Sequence, residues 1–225
     1  MMHRTKLADR KIPDYTRGEE IFNMVTHIAG GAFAAAAIVL CVCFAAIHGN
    51  VWGVVTGAVY GATMLILYTM SSIYHGLPRD GLSKKVFQVI DHCAIFLLIA
   101  GTFTPVALCG LRPEYPALGW GMFGTIWTSA VLGITLNAID LRRYRVFSMI
   151  CYVGLSWCVL LVIKPLIRVL PAGALVLLFA GGVAYTIGAV LYGLGKKRRF
   201  MHSVFHIFVV AGSVLHFLCI LLYLM

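Results

Sequence analysis

The chain has 225 residues, of which 61% are hydrophobic and 12% are charged, and its mean hydropathy is +0.93. Soluble globular domains carry about 25% charged residues, so the composition excludes an ordinary water-soluble fold and indicates a membrane protein. The excess of 18 Lys and Arg over 8 Asp and Glu would suit a protein that binds nucleic acid. The basic residues lie in short loops between apolar runs and not on one folded face, so nucleic acid is not expected as a partner.

Seven apolar runs follow one another along the sequence. Each has about 19 to 27 residues, which is enough to cross a hydrocarbon core of about 30 Å as an α-helix. The runs lie at about 21–47, 51–75, 86–109, 118–138, 145–163, 171–193 and 203–225. They predict an all-α fold, a seven-transmembrane helix bundle, in which residues 1–20 form a basic tail and residues 21–225 form the membrane domain.

The basic residues are distributed unequally between the two ends of these runs. Fifteen of them belong to the tail and to the loops after the second, fourth and sixth runs: Arg4, Lys6, Arg10, Lys11, Arg17, Arg79, Lys84, Lys85, Arg142, Arg143, Arg145 and Lys196-Lys197-Arg198-Arg199. Three lie on the opposite side: Arg112, Lys164 and Arg168. Because positively charged loops stay in the cytoplasm, we expect a multi-pass protein of the cell (inner or cytoplasmic) membrane, with a cytoplasmic N-terminus and an outside C-terminus.

Two features of the runs predict local helix geometry. Gly53, Gly57 and Gly61 are spaced four apart in the second run, which lets a neighbouring helix approach closely. Pro105 is expected to kink the third helix, because proline lacks the backbone N–H that the helix would use.

Three histidines carry the strongest chemical signal in the sequence. His202 and His206 are four residues apart at the start of the seventh run, so they share one helix face. His75 ends the second run, and the expected orientation places all three near the cytoplasmic boundary. Three imidazoles at one depth match a catalytic zinc site that keeps a fourth position for water. The alternative is a set of interfacial histidines bonded to the backbone.

Two further polar residues are predicted at the same end. Asp91 is the one carboxylate well inside an apolar run, and Ser71 precedes His75 by four residues on the same helix face. Ionisable groups are costly inside a bilayer and mark functional positions. Asp91 would either assist a water at the metal or make a structural hydrogen bond, while Ser71 would either orient a ligand or pack between helices.

Other polar residues of the runs are expected to support the site. Glu20, Asn23 and His27 share one stripe of the first helix. We expect these three polar residues to form a seam that holds the first helix against the site, and this role is favoured over direct participation in catalysis. His216 lies fourteen residues after His202, about 21 Å along the helix axis. It is therefore too far to bind the same ion, and lining a cavity is one role for it. His92 is treated as a packing or cavity residue.

Taken in order, these motifs resemble the hemolysin III family. The matching segments are E-x-x-N-x-x-T-H from Glu20 to His27, S-x-x-x-H from Ser71 to His75, D-H-C-A-I-F-L-L-I-A-G-T-F-T-P from Asp91, and H-x-x-x-H at His202 followed by G-S-V-L-H-F from Gly212. This family is the bacterial branch of the progestin and adipoQ receptor superfamily and is more distantly similar to the alkaline ceramidases. The resemblance runs from about Glu19 to the C-terminus.

The resemblance implies a seven-helix bundle with Zn²⁺ held by His75, His202 and His206, and with Asp91 and Ser71 beside the metal. In adiponectin receptors and ceramidases such a site is associated with hydrolysis of a lipid amide, so membrane lipids are the expected partners. We therefore expect a zinc-dependent lipid amide or ester hydrolase acting near the cytoplasmic leaflet. The alternatives are a non-enzymatic regulator of membrane fluidity or energetics with a structural zinc, and a cytolytic membrane protein of the hemolysin type.

Overall fold

The computed structural model describes residues 5–195 and 198–225. Lys196, Lys197 and Arg4, which the charge asymmetry includes, lie outside the described residues. The long elements of the described part are helices: α1 (Arg17–Ile47), α2 (Val51–Gly76), α3 (Leu82–Pro105), α4 (Pro116–Asp140), α5 (Arg145–Ser156), α6 (Ile163–Val169), α7 (Ala172–Leu194) and α8 (Met201–Tyr223).

These helices form seven segments that are long and apolar enough to cross a membrane, which confirms the predicted all-α seven-helix architecture. The third segment combines α3 with a π-helical turn over Val106–Leu111, and the fifth consists of α5, a 3₁₀ turn over Cys158–Val162 and α6. The third segment is the central one, since 78% of its most apolar stretch is buried, against 11% for the fifth.

The predicted disturbance at Pro105 is found where α3 ends. The helix stops at Pro105 and the chain continues as the π-helical turn, in line with the missing proline N–H. The hydroxyl of Thr104 donates to the carbonyl of Ala100 at 2.7 Å and accepts from the indole N–H of Trp127 at 3.0 Å. A threonine just before the proline therefore links this turn to α4.

Close packing of α1 on α2 confirms the interpretation of the glycine stripe. A Cβ atom added to Gly57 would lie 2.9 Å from the Cβ of Cys41, and one added to Gly61 would lie 3.0 Å from the Cα of Ile38. Real Cβ atoms do not approach other atoms so closely, so α1 packs directly on the α2 backbone. This contact brings Glu20 of α1 beside the C-terminal end of α2.

Replacing Gly61 by alanine should therefore destabilise the bundle. We expect a loss of about 1–3 kcal/mol in the free energy of unfolding, as for overpacking in a well-packed core, measured by denaturant titration of the purified protein. Gly121→Ala on α4 is the matched control, because a Cβ there meets nothing within 4 Å. Equal stability of the Gly61 and Gly121 variants would contradict the close contact.

Candidate metal centre

The three predicted histidines lie together at one end of the bundle. His75 is the penultimate residue of α2, and His202 and His206 lie in the first two turns of α8. The Nε2 atom of His202 is 3.3 Å from Nε2 of His75 and 3.1 Å from Nε2 of His206. One ligand atom from each residue lies within 4.8 Å of the other two, so the three residues could hold one metal ion.

The spacing of these nitrogen atoms fits a small tetrahedral cation. Two imidazole nitrogens at about 2.0–2.1 Å from a tetrahedral zinc lie about 3.3–3.4 Å apart. The two Nε2–Nε2 distances of 3.1 and 3.3 Å are close to that value. His75 and His206 are also buried, and three imidazole nitrogens that face one point give a donor set that suits a divalent metal.

A carboxylate on α1 orients the first of these histidines. Oε2 of Glu20 lies 2.6 Å from Nδ1 of His75, so that nitrogen donates to the carboxylate and Nε2 is left as the free lone pair. The other oxygen, Oε1, is 2.8 Å from Nζ of Lys84. Lys84 also donates to the carbonyl of Leu77 at 3.1 Å. The side chains of Glu20 and Lys84 thus form a buried ion pair behind His75.

Lys84→Met should destabilise the protein, because it leaves the Glu20 carboxylate without its cation. Removing one partner of a buried ion pair costs about 3–5 kcal/mol, and the slight exposure of Glu20, whose side chain is 16% accessible, favours the lower value. Denaturant titration gives the measurement. Lys85→Met removes the same charge one position later, where the ammonium contacts the carbonyl of Ala8 in the tail, and should cost less. A Lys85 loss as large as that of Lys84 would contradict the role of the pair.

Two aromatic stacking contacts fix the α8 imidazoles. The ring of Tyr15 stacks on His202 with centroids 4.9 Å apart and an interplanar angle of 9°. The ring of His27, on α1, stacks on His206 at 3.7 Å and 13°. Burial raises the pKa of the Tyr15 phenol well above its ordinary value, so Tyr15 covers the site as a neutral ring.

The start of α1 also sets the start of α8. Thr16 and Glu19 form a capping box in which the Glu19 carboxylate accepts from the backbone N–H of Thr16 at 2.8 Å. The second oxygen of Glu19 accepts from the backbone N–H of Phe200 at 2.6 Å. Phe200 has a φ of 61°, which is costly for a bulky residue. The bond from Glu19 therefore stabilises the left-handed turn from which α8, with its two histidines, begins.

A cavity of about 410 Å³ adjoins the three-histidine cluster. Ser71, Asp91, His202 and His206 are among the residues that line it, and its volume is in the range of small-molecule sites. Asp91 therefore shares the cavity with His202 and His206, but it is not part of the group whose ligand atoms converge. Its carboxylate is 3.8 Å from Nδ1 of His92.

The cavity extends from this end of the bundle into its interior. His216 lines it, ten residues beyond His206 on α8 and so about 15 Å further along the axis. The Nε2 atom of His216 lies 2.9 Å from the carbonyl of Leu178, which can only accept, so Nε2 carries the proton. Leu98, Ile99 and Phe103 also line the cavity and give its inner part an apolar wall.

The sequence interpretation missed the parts played by Lys84 and Tyr15. Lys84 was assigned to a charged loop, whereas the structure places it inside α3, 1% exposed. A signal was present: Lys84, Gln88 and Asp91 are spaced as one helix face, which would have put the lysine with the site. No pattern in the tail marked Tyr15, because its contact with His202 joins residues that are remote in sequence.

The fold and this cluster define a class: a multi-pass helical membrane protein with a three-histidine site able to hold a metal ion at one end of its bundle. The sequence profile of the family described as "Haemolysin-III related" matches residues 15–217. The chain belongs to this family.

Known relatives agree with this assignment. "Hemolysin-3" of Bacillus cereus is 38% identical over 207 residues, which cover 92% of each chain. "Hemolysin-3 homolog" of Bacillus subtilis (strain 168) is 35% identical over 209 residues, which cover 93% of this chain and 96% of the relative. "Monocyte to macrophage differentiation factor" of Homo sapiens is a more distant relative, 24% identical over 181 residues, which cover 77% of this chain and 72% of the relative.

Proposed function

We propose that this protein is a zinc-dependent hydrolase that releases fatty acid from a lipid amide or ester. It would act near the cytoplasmic leaflet of the cell membrane, with the N-terminus inside, as the fifteen basic residues on one side and three on the other favour. The observation that carries the proposal is the convergence of three imidazole nitrogens, two of which belong to His202 and His206 in the wall of a cavity with an apolar inner part.

The residues present fit a zinc ion, and each has a definable task. His75, His202 and His206 would hold the ion, and the Glu20 carboxylate would keep the Nε2 lone pair of His75 directed at it. A bound zinc ion supplies a Lewis acid and lowers the pKa of water to about 7. The apolar wall of the cavity would bind the acyl chain and exclude bulk water from the reacting carbonyl.

Asp91 is the residue proposed to move the proton. A carboxylate oxygen of Asp91 would accept a proton from the attacking water and return it to the departing amine or alcohol. Among the described residues that line the cavity, Asp91 carries the one carboxylate. The nearby carboxylate of Glu20 is not a lining group and is engaged by His75 and Lys84. Ser71, which is 1% exposed, would orient the water or the carbonyl oxygen through its hydroxyl group.

A structural metal is the competing function, and one observation favours it. The three histidines belong to α2 and α8, so an ion held by them would clamp the two helices together. In that case the protein would regulate membrane fluidity or energetics without catalysis.

The deciding experiment uses purified wild-type protein in phosphatidylcholine nanodiscs. Bound metal is measured by elemental analysis, and fatty-acid release is measured with a lipid amide and with a lipid ester, before and after treatment with a chelator. We expect one zinc ion per chain, turnover that stops on chelation and turnover that returns with added Zn²⁺. Zinc-loaded protein that releases no fatty acid from either lipid would reject the hydrolase in favour of the structural role.

A further inference from the structure

The outer end of the cavity carries a cluster of cations that the proposed chemistry does not use. Lys11 of the tail, Arg142 of the turn after α4 and Arg145 at the start of α5 all line the cavity, and all three are exposed. We call these three residues the basic rim. The tail reaches this place because the backbone N–H of Thr5 donates to the carboxylate of Asp140 at 2.8 Å.

The charges of the basic rim are not neutralised by the nearby carboxylates of the described chain. Asp140, the nearest in sequence to the two arginines, accepts from the backbone N–H groups of Arg142 and Arg143 at 3.1 Å each. Asp14 pairs with Arg79. Asp91 is the one carboxylate among the described lining residues, which also include the three cations of the rim. The mouth of the cavity therefore has a positive electrostatic potential.

The role of basic loops in setting membrane orientation does not explain why Arg142 lines the cavity and Arg143 does not. Arg143 lies in the same turn as Arg142, but its guanidinium group is over the ring of Tyr144 at 5.4 Å from the centroid and it is not a lining residue. Basic loops set the membrane orientation through the number of their Lys and Arg residues, whichever way each side chain points. The different surroundings of Arg142 and Arg143 therefore favour a binding role for Arg142 beyond the part that both residues play in setting membrane orientation.

The basic rim and the apolar interior line one cavity, whose wall also includes His202 and His206. Arg142 and Arg145 lie at the end of the bundle where α5 begins, whereas Phe103 and His216 line the inner part. A molecule that matches both ends has an anionic head and a hydrocarbon tail. Guanidinium groups bind phosphate oxygens through paired, charge-assisted hydrogen bonds.

We propose that the cavity selects acyl lipids with a phosphate head group, which the basic rim binds while the acyl chain occupies the apolar interior. This proposal rests on the proposed function only for the hydrolytic step, because recognition of the head group does not require turnover. It narrows the substrate class from lipid amides and esters in general to those that carry a phosphate.

Binding of hexadecyl phosphate tests the proposal without hydrolysis, since this probe has no carbonyl group. Labelled hexadecyl phosphate is bound to the full-length protein in maltoside detergent micelles, which contain no phosphate lipid, and displaced with unlabelled hexadecyl phosphate, hexadecanol or inorganic phosphate. We expect hexadecyl phosphate to displace the label at concentrations at least about tenfold lower than either competitor, as a charge-assisted contact predicts.

The variants separate the rim from surface charge in general. Arg142→Gln and Arg145→Gln should each weaken binding about three- to tenfold, and Arg143→Gln should leave it unchanged. Equal losses in the Arg143 and Arg145 variants would overturn the proposal, because they would show attraction by net charge alone. Displacement by hexadecanol at the same concentration as hexadecyl phosphate would also overturn it, because the site would then recognise only the hydrocarbon chain. Equal displacement by inorganic phosphate would overturn it as well, because the site would then recognise only the phosphate. Failure of the hydrolase assay with these binding results intact would reject the proposed function and leave the head-group site standing.

Discussion

Replacing His206 by alanine is expected to abolish metal binding and, with it, fatty-acid release. Loss of a partner that only orients a ligand costs about 10- to 100-fold in metal affinity, so removing one of three ligands should cost more than about 100-fold. The remaining pair, His75 and His202, could not enclose the ion. Elemental analysis of the purified variant and a competition titration with a zinc-binding dye measure the effect.

His216→Ala is the control for this prediction. It removes an imidazole that is also buried on α8 and also lines the cavity, but at about 15 Å from His206 along the helix. The His216 variant should therefore retain the wild-type metal content. If both variants keep the metal, the three histidines are not its ligands, and if both lose it, the effect comes from damage to α8.

Asp91→Asn should separate metal binding from catalysis. The amide has nearly the same shape as the carboxylate but cannot accept a proton, so we expect a fall of about 10²- to 10⁴-fold in the turnover number. The metal content should stay at the wild-type value, because Asp91 is not in the converging group. Single-turnover release of labelled fatty acid from a lipid amide, together with elemental analysis, gives both quantities.

Each of the two measurements on Asp91→Asn has one result that would contradict the proposed role of Asp91. Loss of zinc would identify Asp91 as a ligand and not as a proton acceptor. Wild-type turnover with zinc present would exclude it from the proton transfer altogether.

The sequence predicted the helices well because their signal is local. A bilayer requires about 20 apolar residues for each crossing, and the seven predicted runs coincide with the seven segments of the structure. The break in the fifth segment was not predicted. Helix α5 ends at Ser156, with Trp157 as its C-cap, and a 3₁₀ turn follows. The apolar residues continue through this turn and hide it from a hydropathy pattern.

The histidine cluster was predictable for a different reason. The spacing of His202 and His206 fixes their shared helix face, and the boundary of the second run fixes the depth of His75. What surrounds them was not predictable in detail, since the bond from Glu20 to His75 and the buried position of Lys84 depend on how α1, α2 and α3 pack together. The role of Asp91 stays a prediction that the experiment above tests.

The order of the three clustered histidines along the chain has a consequence for biogenesis. His75 is made 127 residues before His202, and His202 and His206 belong to α8, which is synthesised after the other seven helices named above. The cluster therefore cannot close until α8 has been made and has packed against α2, so metal capture would follow the synthesis of α8. A nascent chain arrested before residue 202 should insert its earlier helices yet acquire no ion, which makes metal content a marker that α8 has joined the bundle.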